Sequence, residues 1–206
     1  MKTVVIEGID GAGKTAAISN LPFYSIKYPY NQEIKDAITK YYKFLARSGK
    51  ELHDDVRKTI FQNIHDLYDM DFRREISVPD ENIVIFDRYF ISNVVYAKMN
   101  DVSKQIYHEE HKFTPDLVIF LKVRDYSLYK RKFTERGDEL PRDPAVLFRE
   151  VQPLYQSVLK ELAQKRIIRK YVIVEALLPT TNERIMEAID ALRTAATTET
   201  QNITLI

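Results

Sequence analysis

The sequence predicts an α/β fold, a five-stranded parallel sheet with helices on both faces. Three observations carry that expectation. Ile83-Val84-Ile85-Phe86 and Leu117-Val118-Ile119-Phe120-Leu121 are continuous apolar runs, as expected of strands buried on both faces. Stretches of helical period separate these runs from the other strand candidates. A first apolar run, Thr3-Val4-Val5-Ile6-Glu7, feeds Gly8-Ile9-Asp10-Gly11-Ala12-Gly13-Lys14-Thr15 and then the helix-compatible Ala16 to Leu21. Strand, glycine-rich loop and helix together are the context in which G-x-x-x-x-G-K-[ST] acts as a phosphate loop.

The chemistry of that loop follows from its residue types. Glycines let the backbone turn its N–H groups inward around an anion, and the helix that follows points its positive end at the same place. Gly8, Ile9, Asp10, Gly11, Ala12, Gly13, Lys14 and Thr15 are therefore expected to bind the phosphates of ATP. Lys14 is expected to reach the β- and γ-phosphates, and Thr15 to offer its hydroxyl to Mg²⁺.

Farther along, Phe23 to Tyr28 reads as a second strand closed by Pro29. Asn31 suits the cap of a helix with Ile34, Ile38, Tyr41 and Leu45 at helical spacing, ending near Gly49. A longer helix is expected over about Asp54 to Ser77, carrying Val56, Ile60, Ile64, Leu67 and Ile76. The strand 83–86 ends in Asp87-Arg88-Tyr89, and helices are expected over Ile91 to Met99 and the polar stretch Val102 to His111. After the strand that follows Pro115, Tyr126 to Arg136 reads as a basic helix leading into a mobile loop, Gly137 to Asp143. Asp143-Pro144 is a cap-plus-first-turn pair, and Pro153 implies a kink or restart near Gln152. Tyr171 to Val174 is the fifth strand and Asn182 to Leu192 the last helix. The chain is expected to form one domain over residues 1–193, with a flexible tail over 194–206.

Composition narrows the function classes. With 206 residues, 45% hydrophobic and 30% charged, the chain has the balance of one globular domain. A net charge of +1 gives no basic excess for nucleic acid or a membrane surface, so neither is an expected partner. The absence of cysteine removes disulfides, thiolate metal sites and a cysteine nucleophile. No apolar run approaches the length of a membrane span, and a cytoplasmic enzyme is the expectation.

Phosphoryl transfer needs cations around the transferring group, a metal and a grip on the acceptor. Asp87, at the end of a buried strand beside the phosphate loop, is the second candidate metal ligand, and Arg88 suits an anionic acceptor because its fork matches phosphate geometry. A basic rather than acidic residue after Asp87 disfavours an ATP-hydrolysing motor, and the lack of Asn-Lys-x-Asp disfavours a guanine switch. Arg131, Lys132, Arg136 and Arg142 surround an acidic turn. Their position between the fourth strand and a late helix reads as a lid, about 131–143, that closes over phosphates.

These residues resemble the thymidylate kinase family, nucleoside monophosphate kinases of the P-loop class. The matching pieces are Glu7 to Thr15, Lys27-Tyr28-Pro29, Ile60-Phe61, Asp87-Arg88-Tyr89 with Ser92, Asn93 and Tyr96, Pro115 to Leu121, the basic stretch through Arg136-Gly137, and Val174-Glu175-Ala176. The resemblance implies that Asp10 faces the acceptor's sugar hydroxyl, that Phe61 stacks on the base and that Asn93 approaches it. By the same resemblance Arg88 holds the acceptor phosphate, Tyr96 crowds the ribose 2′ position, and Tyr28, His65 and Ser92 join the substrate site. Gly11 stands where some members carry an arginine, so a lid arginine is expected to substitute, Arg136 as the catalytic one with Arg131 and Arg142 near ATP. A homodimer is implied by the family alone.

The departures bear on base choice. His65 stands where the family usually has an arginine meeting the base edge, Ala97 replaces a commonly polar residue, and no arginine follows Pro29. The expected reaction is ATP plus a pyrimidine deoxynucleoside monophosphate, dTMP first, with Mg²⁺ and altered or broadened base choice. The rivals are a deoxynucleoside kinase acting on the nucleoside and a regulatory module that binds nucleotide without transfer.

Overall fold

The computed structural model describes residues 1–48, 51–72, 81–102, 114–135 and 143–194. Five parallel strands, β1 (Lys2–Glu7), β2 (Tyr24–Lys27), β3 (Ile83–Asp87), β4 (Leu117–Lys122) and β5 (Tyr171–Glu175), form one sheet in the order β2-β3-β1-β4-β5. Every residue of β3 is buried, as are Leu117 to Leu121 of β4, which is why both read as unbroken apolar runs. Val4 at the centre pairs with Ile85 on one side and Leu117 on the other. Asp116 fixes the start of this register, its Oδ2 accepting from the Thr3 amide at 2.8 Å and the Thr3 hydroxyl at 3.1 Å.

The helices are α1 (Lys14–Ser19), α2 (Gln32–Ser48), α3 (Asp54–Phe72), α4 (Phe90–Met99), α5 (Tyr126–Glu135), the short α6 (Pro144–Val146), α7 (Gln152–Gln164) and α8 (Thr181–Thr194). From β1 the chain crosses one way to β2, and thereafter every crossover runs the other way. Right-handed crossovers therefore put α1 on one face and α2–α7 on the opposite face. The reversal at β1 opens a crevice at the carboxyl ends of the central strands, where α/β folds bind ligands.

Most elements fall where the sequence puts them, with local differences. The first helix starts at Lys14 rather than Ala16, because Gly13, at φ 83°, completes the turn before it. The second strand is shorter, beginning at Tyr24. Asn31 does cap α2, its Oδ1 accepting from the Ile34 amide at 3.0 Å, and Asp143 caps α6 through the Ala145 amide at 2.7 Å. The restart at Gln152 takes the form of a π-helical segment, Leu147–Val151, running into α7. Pro153 has no N–H to continue the earlier register, and the buried Gln152 carboxamide clamps both backbone groups of Val123, at 2.7 and 2.9 Å. The expected end of the long helix at Ser77, the helix Val102–His111, the loop 137–142 with Arg136 before it, and the tail beyond Thr194 lie outside the described residues.

Candidate active site

The loop between β1 and α1 lines a cavity of about 950 Å³, closed on its far sides by Lys27, Asp87, Lys132, Glu135 and the 177–182 loop. Gly11 has φ 82°, and a Cβ there would lie 2.7 Å from the Phe133 ring and 3.1 Å from Tyr129. Both rings come from α5, so that helix leaves no room for a side chain at position 11. Tyr129 also donates its hydroxyl to the Asp10 carbonyl at 2.6 Å, tying α5 to the turn of the loop.

Lys14 folds back onto its own loop, donating from Nζ to the carbonyls of Gly8 and Ile9, each at 2.8 Å. Burial, with the nearby Arg88 guanidinium adding to it, pushes the Lys14 ammonium down to about 7. A neutral amine has two N–H groups, and the two carbonyls use both. Beside it the Thr15 hydroxyl donates to Asp87 Oδ2 at 3.1 Å, and Lys27 Nζ lies 3.8 Å from the same oxygen. A hydroxyl and a carboxylate held side by side are hard oxygen donors that suit Mg²⁺, which fills its other positions with water and phosphate oxygens.

A second cavity, about 160 Å³, adjoins the first and shares Asp10 and Arg88 with it. Arg88 follows β3 with φ 70°, a left-handed backbone rare for a side chain of this size. That conformation is held by its amide donating to the Ile6 carbonyl at 3.1 Å. The guanidinium is pinned on both arms. One arm pairs with the Asp10 carboxylate, and the other donates to Ser92 Oγ at 2.8 Å and the Tyr155 hydroxyl at 2.9 Å. Behind this sits the fully buried Glu7, which accepts from the Tyr89 amide (3.0 Å), the Ser92 amide (3.3 Å) and the Ser92 hydroxyl (2.6 Å). Burial raises the Glu7 carboxyl above its usual range, against the lowering effect of Arg88 and these donors.

The remaining residues expected at the acceptor site divide. Tyr28, His65, Ser92, Asn93 and Tyr96 line the small cavity with Asp10 and Arg88. The Tyr96 hydroxyl donates to Asp10 Oδ2 at 3.4 Å. The Asn93 carboxamide is engaged with its neighbours: its oxygen accepts from His65 Nδ1, and its nitrogen donates to the His65 carbonyl (3.2 Å) and the Asp69 carboxylate. Phe61 does not line the cavity. It packs against Ile34, Ile38, Ile60 and Ile64 between α2 and α3, while His65 and Tyr68, farther along α3, line the small cavity. Arg131 sits on the outer side of α5, 3.8 Å from Glu135, and it is its neighbour Lys132 that lines the large cavity. Arg136 and Arg142 fall outside the described residues.

Several contributors escaped the sequence reading. Tyr155 reaches Arg88 from 67 positions away, a pairing with no local signature. Lys35, Ile38, Thr39 and Tyr42 of α2 line the small cavity, and their helical spacing was the available signal. Leu177, at φ 66°, comes within 3.3 Å of where a Gly13 Cβ would stand and helps wall the large cavity.

A parallel sheet carrying a G-x-x-x-x-G-K-T loop after its central strand, with a pinned arginine in an adjoining cavity, defines a kinase of the P-loop fold. The fold is shared with deoxyadenosine kinase from M. mycoides, seen with bound dCTP or with bound dATP. The TM-scores are 0.58 and 0.57, at 19% and 18% identity, and the matches cover 92% of this chain and 99% and 100% of those chains. The family described as thymidylate kinase matches residues 47–181, more than half of the sequence, and the chain belongs to that family, whose members are phosphotransferases. It is 26% identical over 166 residues to a probable thymidylate kinase of Methanococcus aeolicus, covering 78% of this chain and 80% of that one. It is 29% identical over 164 residues to a probable thymidylate kinase of Pyrobaculum aerophilum, covering 75% and 81%. The thymidylate kinase of Helicobacter hepaticus is 24% identical over 183 residues, covering 80% and 88%.

Proposed function

We propose that the protein transfers the γ-phosphoryl group of ATP to a pyrimidine deoxynucleoside monophosphate, with dTMP the principal acceptor and dTDP the product. The observation that carries this reading is Arg88, a guanidinium held rigid on both arms where the donor and acceptor cavities meet. A positioned fork of this kind suits a phosphate acceptor, whose own oxygen is the nucleophile, so no general base is required.

In this reading Lys14 leaves the Gly8 and Ile9 carbonyls for the donor phosphates, regaining its full charge as they approach. Thr15 and Asp87 would hold Mg²⁺, which would supply positive charge to the donor phosphates. Lys132 and Glu135 bring the end of α5 to the donor cavity, which supports Arg136, the next residue, as the lid cation. Asp10 and Tyr96 meet the sugar, Tyr96 disfavouring a 2′-hydroxyl. An imidazole at position 65 offers the base one hydrogen bond where a guanidinium would offer two, which supports a broader base choice. A homodimer working in the cytoplasm completes the reading by analogy with the family.

The second reading, phosphorylation of the nucleoside, is favoured only by the fold shared with deoxyadenosine kinase. Such a reaction benefits from a carboxylate base at the acceptor hydroxyl. Asp10, the one carboxylate lining the acceptor cavity among the described residues, is already paired with Arg88. ADP release from ATP and Mg²⁺ with dTMP, dUMP, dCMP, dGMP, UMP and thymidine separates the readings. Turnover of dTMP or dUMP with little from UMP or thymidine is the expected pattern; turnover of thymidine alone overturns it.

A further inference from the structure

Resting on the reading that Thr15 and Asp87 hold the metal, we propose that Lys27 is a built-in occupant of that position: in the nucleotide-free protein its ammonium holds both side chains, and a divalent cation must displace it. The three groups close a ring. Lys27 Nζ donates to Thr15 Oγ1 at 3.4 Å and lies 3.8 Å from Asp87 Oδ2, while the Thr15 hydroxyl donates to that same Oδ2 at 3.1 Å. The strand register puts Lys27 there. It is the last residue of β2 and pairs with Asp87, the last residue of β3, so the two side chains leave the same face of the sheet at its carboxyl edge. The next amide, of Tyr28, donates to the Asp87 carbonyl at 3.1 Å and fixes the end of the pairing. Lys14, the neighbouring cation on the loop, is turned to the Gly8 and Ile9 carbonyls.

The ring obstructs what a metal would need. Coordination by Thr15 takes a lone pair of its Oγ1, and Lys27 uses that oxygen as its acceptor. Lys27 also offsets the Asp87 charge, leaving the pair close to neutral and with little pull on a dication. The hold is nonetheless releasable. The Asp87 side chain is 6% exposed and that of Lys27 62%, and an ion pair open to water on one side is worth little. Lys27 lines the large cavity beside Thr15 and Asp87, so polyphosphate oxygens arriving there offer its ammonium another anion. Metal entry thereby depends on the nucleotide: Thr15 and Asp87 become available as the triphosphate draws Lys27 away.

The test is Mn²⁺ binding to the nucleotide-free full chain, followed by the electron paramagnetic resonance signal of the free ion. Lys27→Gln, at an exposed strand end, is expected to bind Mn²⁺ about tenfold more tightly than the wild type, the effect of removing one positive charge beside Asp87 in a largely aqueous setting. Lys27→Arg, which keeps the charge, stays near the wild type. Lys132→Gln, which removes a charge from the α5 wall of the same cavity, moves the affinity by at most about twofold. Adding Asp87→Asn to Lys27→Gln abolishes the gain. No tightening in Lys27→Gln while Asp87→Asn still weakens binding overturns the role of Lys27 alone, as does equal tightening in Lys132→Gln. Mn²⁺ binding that Asp87→Asn leaves unchanged, with or without Lys27→Gln, removes the underlying metal reading as well.

Discussion

The large and small cavities, proposed above to take donor and acceptor, share Asp10 and Arg88 but are built in opposite ways. The large cavity, about 950 Å³, is centred on one continuous run, Asp10 to Ala17, whose backbone turn and helix entry form its floor. The small cavity, about 160 Å³, draws on Asp10, on the turn after β2, on α2, α3 and α4, and on the turn after β3, and its polar lining is mostly side chains brought together from those elements. Recognition of a polyphosphate tail needs only inward N–H groups and a mobile cation, which a short motif can encode. Recognition of one nucleotide among several needs convergent side chains, and only a completed tertiary fold brings those together.

That contrast can be broken most forcefully at Lys14. Lys14→Ala should leave the fold intact, since α1 and the main core do not depend on Nζ, while kcat falls on the order of 10³-fold. Circular dichroism with a turnover assay checks both halves.

A smaller effect is expected on the acceptor side. Tyr155→Phe removes one hydroxyl that braces Arg88 and touches Ser92 at 2.8 Å, and keeps the ring stacked on Phe120 at 5.4 Å. KM for the monophosphate should rise about tenfold while KM for ATP is unchanged. A parallel rise in both would show that the brace serves the whole crevice rather than the acceptor arginine.

The mildest probe is proton linkage. Because the free Lys14 ammonium is pushed down to about 7 from an ordinary 10.5, the folded protein binds fewer protons than the unfolded chain across that interval. This group's contribution to stability therefore rises as pH climbs from about 7 towards 10.5, and its penalty is fully present below that window. Triphosphate binding restores the charge, so ATP binding above neutral pH should be accompanied by net proton uptake. Calorimetry in buffers of different ionisation enthalpy measures it; no uptake would mean that Lys14 is already charged in the free state.

The same division explains what the sequence made legible. Buried strands announce themselves through unbroken apolar runs, and the phosphate loop through its spacing, because both signals are local. Arg88 was legible as a candidate anion clamp because it follows a buried strand, but its left-handed backbone was not. Tyr155 was invisible: a buried aromatic in a helix reads as core until the fold sets its hydroxyl beside a guanidinium. Phe61 shows a limit of the same kind. Helical period alone cannot say whether a residue faces the α2–α3 contact or the acceptor space, and the structure turns it to the first. Gly11 carried a signal about an absent arginine, but that Phe133 and Tyr129 close the space emerges only from the packing of α5.

The central claim is that the acceptor is an anion held by Arg88, and the most direct measurement is kcat/KM for dTMP and for thymidine, in the wild type and in Arg88→Ala. The account expects dTMP to exceed thymidine by on the order of 10³-fold in the wild type, and expects Arg88→Ala to erase most of that preference by lowering the dTMP value. A wild type that uses thymidine as well as dTMP, or an Arg88→Ala variant that keeps the preference, would contradict it.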